Sequence, residues 1–309
     1  MNIRILGSAA GGGFPQWNCN CPNCDGVRRG RLNARARTQS SIAIRGADAC
    51  AWLLLNASPD ILAQLAANPQ LQPARGPRDT GIRSVMLTDS QIDHTTGLLM
   101  LRESAVPWPL WCTDGVFDDL TQSNPLLAVL QHYCGVNRQR IPLDRHWFTI
   151  DGIEDIRWQA IALPGKPPAY SRQRDAIRTE VTGDVIGLLA EDTTSRQRLF
   201  YAPGLAAIEP HAWELMQTAQ CVLVDGTFWT EDEMREVGVG HKRAAQMGHL
   251  PQSGEHGLIS WLDRLPAATR RILVHINNTN PILLEDSPQR ELLRTHRIEV
   301  AYDAMEIEL

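Results

Sequence analysis

Three apolar runs in this chain end in side chains able to hold a metal. "SVML" leads into Thr88-Asp89-Ser90-Gln91-Ile92-Asp93-His94, "CVLV" ends at Asp225, and "RILV" ends at His275. Carboxylates and imidazoles are accepted ligands of divalent first-row metals. The carboxyl ends of sheet strands are where loops converge on a rigid frame, and ligands commonly sit there. A carboxylate emerging from a buried strand is costly unless it is paired or metal-bound. Asp89, Asp93 and Asp225 would repel one another if brought together. No Lys or Arg lies within five residues of Asp93 on either side to offset them, so a cation of charge two or more is the natural counter-charge. Each residue alone has a plainer use: an Asp after a strand is commonly a turn former or helix N-cap, and a lone His a hydrogen-bonded core residue. Their joint occurrence at three strand ends points to a metal.

A second group is sulfur-based. Cys19, Cys21 and Cys24 form C-x-C-x-x-C in a loop rich in Gly, Asn and Pro. Thiolates at that spacing can point into one tetrahedron, the geometry zinc favours with sulfur and nitrogen ligands. The polar setting "NCNCPNCDG" speaks against three plain core cysteines, and a disulfide would strand one of the three. The expectation is a structural zinc site beside the active-site mouth, its fourth ligand unassigned. Cys50, Cys112, Cys134 and Cys221 lie among apolar residues and are expected in the core. The stretch from 226 to 257 is long and polar and holds His241, His249 and His256; such a loop is often a lid or binding element, and His241 and His256 read as solvated. Gly11, Gly12 and Gly13 are followed by neither a helix signal nor a Lys, so a nucleotide loop is not expected. Thr88 and Ser90 have no triad partner arrangement, and no nucleophilic serine is expected.

The elements that must position these groups follow from periodicity. "IRILG", "SSIAI", "AWLLLN" and "IRSVMLT" read as strands, and "SPDILAQLAANPQL" as a helix with Ser58 at its N-cap and Pro59 in its first turn. "HTTGLLMLRES" and "GVFDDLTQSNPLLAVLQHY" read as helical, and residues 70–81 as a surface loop. The middle of the chain is strand-rich. After it, helices ("AAIEPHAWELMQTA", "GLISWLDRL", "PILLEDSPQRELLRTH") alternate with strands ("CVLVDG", "RILVHI", "IEVAYDAMEIEL"). Strands crowd early and alternate with helices later, which predicts a layered α/β protein with two sheets rather than one doubly wound sheet. A chain of 309 residues can bury the required core. Net charge is −5 with no block of like charges, which gives no support to a nucleic-acid or membrane-surface role. No signal-peptide pattern or membrane-length apolar run is present. The odd cysteine count suits a reducing compartment, so a cytoplasmic location is expected.

The loop after the "SVML" strand resembles that of the metallo-β-lactamase superfamily, whose form is T-H-x-H-x-D-H, followed by a strand-end Asp and a late strand-end His. Asp89 and Gln91 stand where the first two histidines belong. Asp93 and His94 match the Asp-His pair, Asp225 the bridging Asp and His275 the last His. The middle His would fall near "ALPGKPP", which has none. The histidine-rich site is thus dismantled, while the set Asp93, His94, Asp225 and His275 survives. That argues against a two-metal hydrolase, which needs both ions.

Within the superfamily, the blocks "RILGSAAGGGFPQWNCNCPNC", "TDSQIDHTTGL", "VDGTFW", "MGHLP" and "HINNTNP" resemble the coenzyme PQQ synthesis B family over the whole chain. The resemblance implies a single αββα four-layer sandwich domain over 1–309, acting in the making of pyrroloquinoline quinone (PQQ) from a Glu- and Tyr-containing precursor, peptide or dipeptide. It implies two roles: an iron-dependent hydroxylase of the precursor's tyrosine, or a carrier that helps export the quinone or its precursor to the periplasm. Two His and one or two carboxylates approximate the set that suits non-haem Fe(II), with Zn or Mn also accepted. Asp89 and Gln91 are then expected to contact the substrate phenol, and His249, placed where related hydrolases carry an active-site His, to donate a proton or touch substrate. A single-zinc hydrolase using the same ligands stays open. Other PQQ-pathway proteins are the expected partners, a homodimer is compatible with the reading, and neither nucleic acid nor membrane is expected.

Overall fold

A computed structural model describes residues 1–174 and 183–309. The strands in chain order are β1 (Asn2–Gly7), β2 (Ser41–Arg45), β3 (Trp52–Leu55), β4 (Ile82–Met86), β5 (Trp108–Cys112), β6 (Val136–Arg140), β7 (Phe148–Thr149), β8 (Ile156–Ala162), β9 (Ile186–Asp192), β10 (Arg198–Ala202), β11 (Cys221–Asp225), β12 (Arg270–Val274), β13 (Ile298–Val300) and β14 (Glu306–Glu308). They form two seven-stranded sheets, ordered β14-β1-β2-β3-β4-β5-β6 and β13-β12-β11-β10-β9-β8-β7. In the first sheet β3 to β6 run parallel, and in the second β10 to β13 do.

The strands that read as continuous apolar runs are those buried on both faces. Leu53 and Leu55 of β3 point into a layer shared by the two sheets, while Trp52 and Leu54 face the helices outside. Cys221 and Leu223 of β11 likewise face the shared layer, and Val222 and Val224 pack under the helices Pro210–Thr218 and Leu258–Leu262. Three apolar layers between four layers of structure make the αββα sandwich. Fully burying each such aliphatic side chain is worth about 1.5–3 kcal/mol.

One buried charge anchors the second sheet. Glu191 of β9 lies opposite Arg157 of β8 and Arg198 of β10. Its side chain is fully buried and pairs with Arg157, Arg196 and Arg198 at 2.7, 2.8 and 2.6 Å.

Local expectations failed in several places, among them the helix read over 281–296, which is two separate helical segments, Pro281–Leu283 and Pro288–Thr295, and the final strand, which divides into β13 and β14 of different sheets. The helix predicted from Ser58 begins at Ile61, and its N-cap residue Asp60 makes no side-chain cap because its carboxylate accepts Gln39 N and Nε2 at 2.9 and 3.0 Å. The helical stretch after Thr113 breaks before Leu126, where Pro125 lacks the N–H a continuous helix needs. Cys50 is exposed and Cys134 half-buried, whereas Cys112 and Cys221 are in the core as expected. No helix among the described residues is long and apolar enough to cross a membrane.

Candidate metal centre

The carboxyl ends of β4, β11 and β12 meet where the sheets join, with isolated bridges Asp89–Val185 and Ala9–Ile276 linking one sheet's loops to the other's. The short helix Ile92–Thr95 carries Asp93 and His94 to this edge. His275 follows β12 directly, with a left-handed backbone (φ 59°). Gly11 closes the mouth, where a Cβ would lie 3.2 Å from Asp93 Oδ2. A cavity of about 220 Å³ is left between them, floored by Asp93, His94, His249 and His275, with Gln91 and Asn277 on its walls.

The predicted ligands gather as two triads sharing one residue. Asp93, His94 and His275 place their ligand atoms within 4.8 Å of one another, and so do Asp225, His249 and His275. Asp225 therefore joins the centre through His249 and His275, not in one cluster with Asp93 and His94. His275 Nε2 lies 3.2 Å from Asp93 Oδ2, and the His94 and His275 rings meet edge-on at 5.2 Å.

Each imidazole is held at Nδ1 by an oxygen. His94 Nδ1 lies 2.8 Å from both oxygens of Asp89, which also accept Gln91 N–H at 2.9 Å and the Thr88 hydroxyl at 3.1 Å. His249 Nδ1 lies 2.6 Å from Asp225 Oδ2. His275 Nδ1 lies 2.8 Å from Thr227 Oγ1, which can give its own proton to Asp225 Oδ1 at 2.5 Å. Assigned from this network, every Nδ1 carries a proton, which leaves Nε2 of each ring as the atom that would take a metal, giving up any proton it shares with a carboxylate. Oxygen partners behind histidines are the usual outer support of metal ligands. One of these atoms tests the fit of a metal directly: His94 Nε2 is buried and has no hydrogen-bond partner among the described residues. A ring nitrogen kept from water without a partner is costly, and a metal held with Asp93 and His275 would satisfy it.

Electrostatics agree. Burial works against ionising Asp93, but the neighbouring His94 and the hydrogen bond from His275 overcome it and hold its carboxyl well below the usual range. Burial also works against a charged His94, yet Asp89 and Asp93 outweigh it and lift the ring to about 9. The site thus attracts positive charge. Asp225 accepts from Leu205 N, Thr227 N, Thr227 Oγ1 and His249 Nδ1, filling its lone-pair directions. Its carboxyl is held low: burial opposes this, and His249 beside it prevails.

The sequence reading assigned no role to Thr227. Its signal was present, since an Asp two residues before a Thr at a strand end favours the side-chain-to-backbone turn that Thr227 N makes to Asp225 Oδ1. His241 and His256 are exposed.

The cysteines form the second centre. Cys19, Cys21 and Cys24 are buried with sulfurs within 4.8 Å of one another. Cys21 caps the helix Pro22–Arg28, its sulfur accepting Cys24 N–H. The side-chain amide nitrogen of Asn278 stands 3.1, 3.6 and 3.4 Å from the three sulfurs. Only Asn277 separates Asn278 from the Ile276 that follows His275, so one short segment ties both centres together. Burial pushes the Cys21 thiol up to about 12, whereas Cys19 is lowered: burial opposes, but hydrogen bonds from Cys21 and Asn278 prevail.

Comparison with known proteins fits this geometry. A model of the beta-lactamase superfamily domain matches residues 51–276. The chain is 59% identical to coenzyme PQQ synthesis protein B of Azoarcus sp. (strain BH72) over 309 residues, covering all of both chains. It is 54% identical to the protein of the same name from Methylobacillus flagellatus, covering 99% of each. Among solved structures, the Zn²⁺-bound PqqB of Methylobacterium extorquens superposes with a TM-score of 0.91 at 38% identity, again over the whole of both chains.

Proposed function

The chain belongs to the coenzyme PQQ synthesis protein B family of the beta-lactamase superfamily, and from that premise we propose that it acts in PQQ biosynthesis as a non-haem iron hydroxylase of a tyrosine in a Glu- and Tyr-containing precursor. The observation that carries this reading is the buried, unpartnered Nε2 of His94 converging with Asp93 and His275. Two imidazoles and one carboxylate form the set that binds Fe(II) while leaving positions open. Iron bound there supplies the redox chemistry that activates O₂. Overall, one oxygen atom enters the phenol ring and the other leaves as water, with two electrons and two protons from an external reductant.

The chain's own residues handle position and protons. Asp89 fixes the His94 ring and Thr227 the His275 ring. His249, held by Asp225 through Nδ1, turns Nε2 to the cavity and there takes and returns the phenol proton. Gln91 and Asn277 offer amides to the substrate's polar groups. Phe228 and Val185 supply an apolar wall for an aromatic ring. At the second centre we assign a structural zinc to Cys19, Cys21 and Cys24, since thiolates select that metal, with Asn278 in place to close the set if its side-chain amide turns Oδ1 rather than NH₂ toward the sulfurs.

Oxygen uptake by Fe(II)-loaded protein with a Glu-Tyr dipeptide tests the reading. The expected product gains one oxygen atom, and Asp93→Ala and His94→Ala abolish uptake. Absence of uptake by wild-type protein with verified iron would overturn it. One observation favours a second reading: the Methylobacterium extorquens relative is Zn²⁺-bound. A single zinc on the same ligands would lower the pKa of a bound water for hydrolysis, and turnover would then persist without oxygen.

A further inference from the structure

The cavity over the metal triad holds one feature that metal binding does not use. Among its described lining residues Lys166 is the only Lys or Arg. It is exposed and, among the described residues, has no hydrogen-bond or ion-pair partner. The acids of the site do not claim it, because Asp89, Asp93 and Asp225 are engaged by His94, His275 and His249. Its loop is firmly placed. Pro167 and Pro168 are buried, Arg174 Nη1 donates to Pro167 O at 2.8 Å, and the Tyr170 hydroxyl donates to Ser90 O. Gly165 lets the loop approach β9 closely, since a Cβ there would meet Val185 at 2.5 Å. Lys166 is one of two lysines in a chain whose other cationic side chains, histidines apart, are arginines.

We propose that Lys166 is the anchor for a carboxylate of the substrate, making the ligand of this cavity an aromatic acid with its anionic end at the mouth and its ring toward the metal. This rests on the reading of the cavity as the substrate site. An ammonium without an internal partner gives a ligand carboxylate a charge-assisted bond at no cost to another interaction. Its solvent exposure limits the gain to about two- to fivefold in affinity.

The test is calorimetric binding of hydroxyphenylpropionate and of its neutral carboxamide to Zn²⁺-loaded full-length protein, compared at equal metal content. Wild type is expected to prefer the acid by about two- to fivefold. Lys166→Met should bind both forms alike, and Lys166→Arg should keep the preference. An undiminished preference in Lys166→Met would overturn the anchor and assign the carboxylate to the metal. A wild type that binds neither form, or both equally, would overturn it as well. Oxygen uptake is read separately. A Lys166-dependent preference without uptake sinks the hydroxylase and keeps the anchor, whereas uptake with a Lys166-independent preference sinks the anchor alone.

Discussion

Asp89 separates two ways of building this site. Read from sequence it stands beside the substrate, but in the fold both its oxygens lie 2.8 Å from His94 Nδ1 and also accept Gln91 N–H and the Thr88 hydroxyl. Replacing it with Ala removes the acceptor that keeps the proton on Nδ1 and the lone pair on Nε2. Loss of such a partner behind a ligating histidine typically weakens metal binding by about 10–100-fold, or about 1.4–2.8 kcal/mol. That range overlaps the ~1.5–3 kcal/mol of a hydrogen bond to a charged group, so the two routes to the magnitude agree. Asp89→Asn should fall in the same range, because its single oxygen is needed by Gln91 N–H and its amide NH₂ then faces His94, favouring the wrong tautomer. Competition with a chromophoric chelator measures the metal dissociation constant directly. Gln91→Ala is the contrast: its side chain lines the cavity but supports no ligand, so metal affinity should stay within about threefold of wild type while turnover falls. Wild-type metal affinity in Asp89→Ala together with collapsed turnover would refute the argument and return Asp89 to the substrate.

His249→Asn should keep the metal of the Asp93–His94–His275 triad and lower turnover by about 10²–10⁴, the usual worth of a positioned acid–base group; metal analysis beside steady-state rates checks it, and loss of metal would instead make His249 a ligand. Cys21→Ser should release the proposed zinc and expose the remaining thiols, read by metal release during thiol titration, whereas Cys50→Ser, at an exposed position, should change neither zinc content nor melting temperature. Glu191→Gln should cost about 1–3 kcal/mol near neutral pH, less than the ~3–5 of a fully buried pair because its arginines reach solvent. The Glu191 carboxyl is held below its ordinary 4.5: burial opposes, but Arg198 and Arg157 prevail. Its contribution is therefore full above pH 4.5 and lost as pH falls through the lowered value, so chemical-denaturation stabilities of wild type and variant should converge as the pH is taken down through that value.

Residue types read in order were enough to pick out side chains that the fold gathers here, because position at a strand end is nearly a local property. Asp93, Asp225 and His275 each follow an apolar strand, and the parallel strands β4, β11 and β12 deliver their carboxyl ends to one edge. Double-sided burial made those strands legible as unbroken apolar runs, and the layered α/β class came from their alternation with helices. What escaped were the pairings. Asp89 holding His94, Thr227 bridging Asp225 to His275, and Asn278 over three sulfurs about 250 residues away are contacts, and no spacing rule ranks one long-range contact over another. The Ser58 cap failed for the same reason: Ser58 N–H is held by Ser41 Oγ of β2, and the helix starts only at Ile61. The pairings decide the chemistry, since an imidazole binds metal only through the nitrogen its partner leaves unprotonated. The oxygen behind each ring of His94, His249 and His275 decides which nitrogen is left for a metal or a proton, so a sequence can name candidate donors without saying which atom of each faces the cavity.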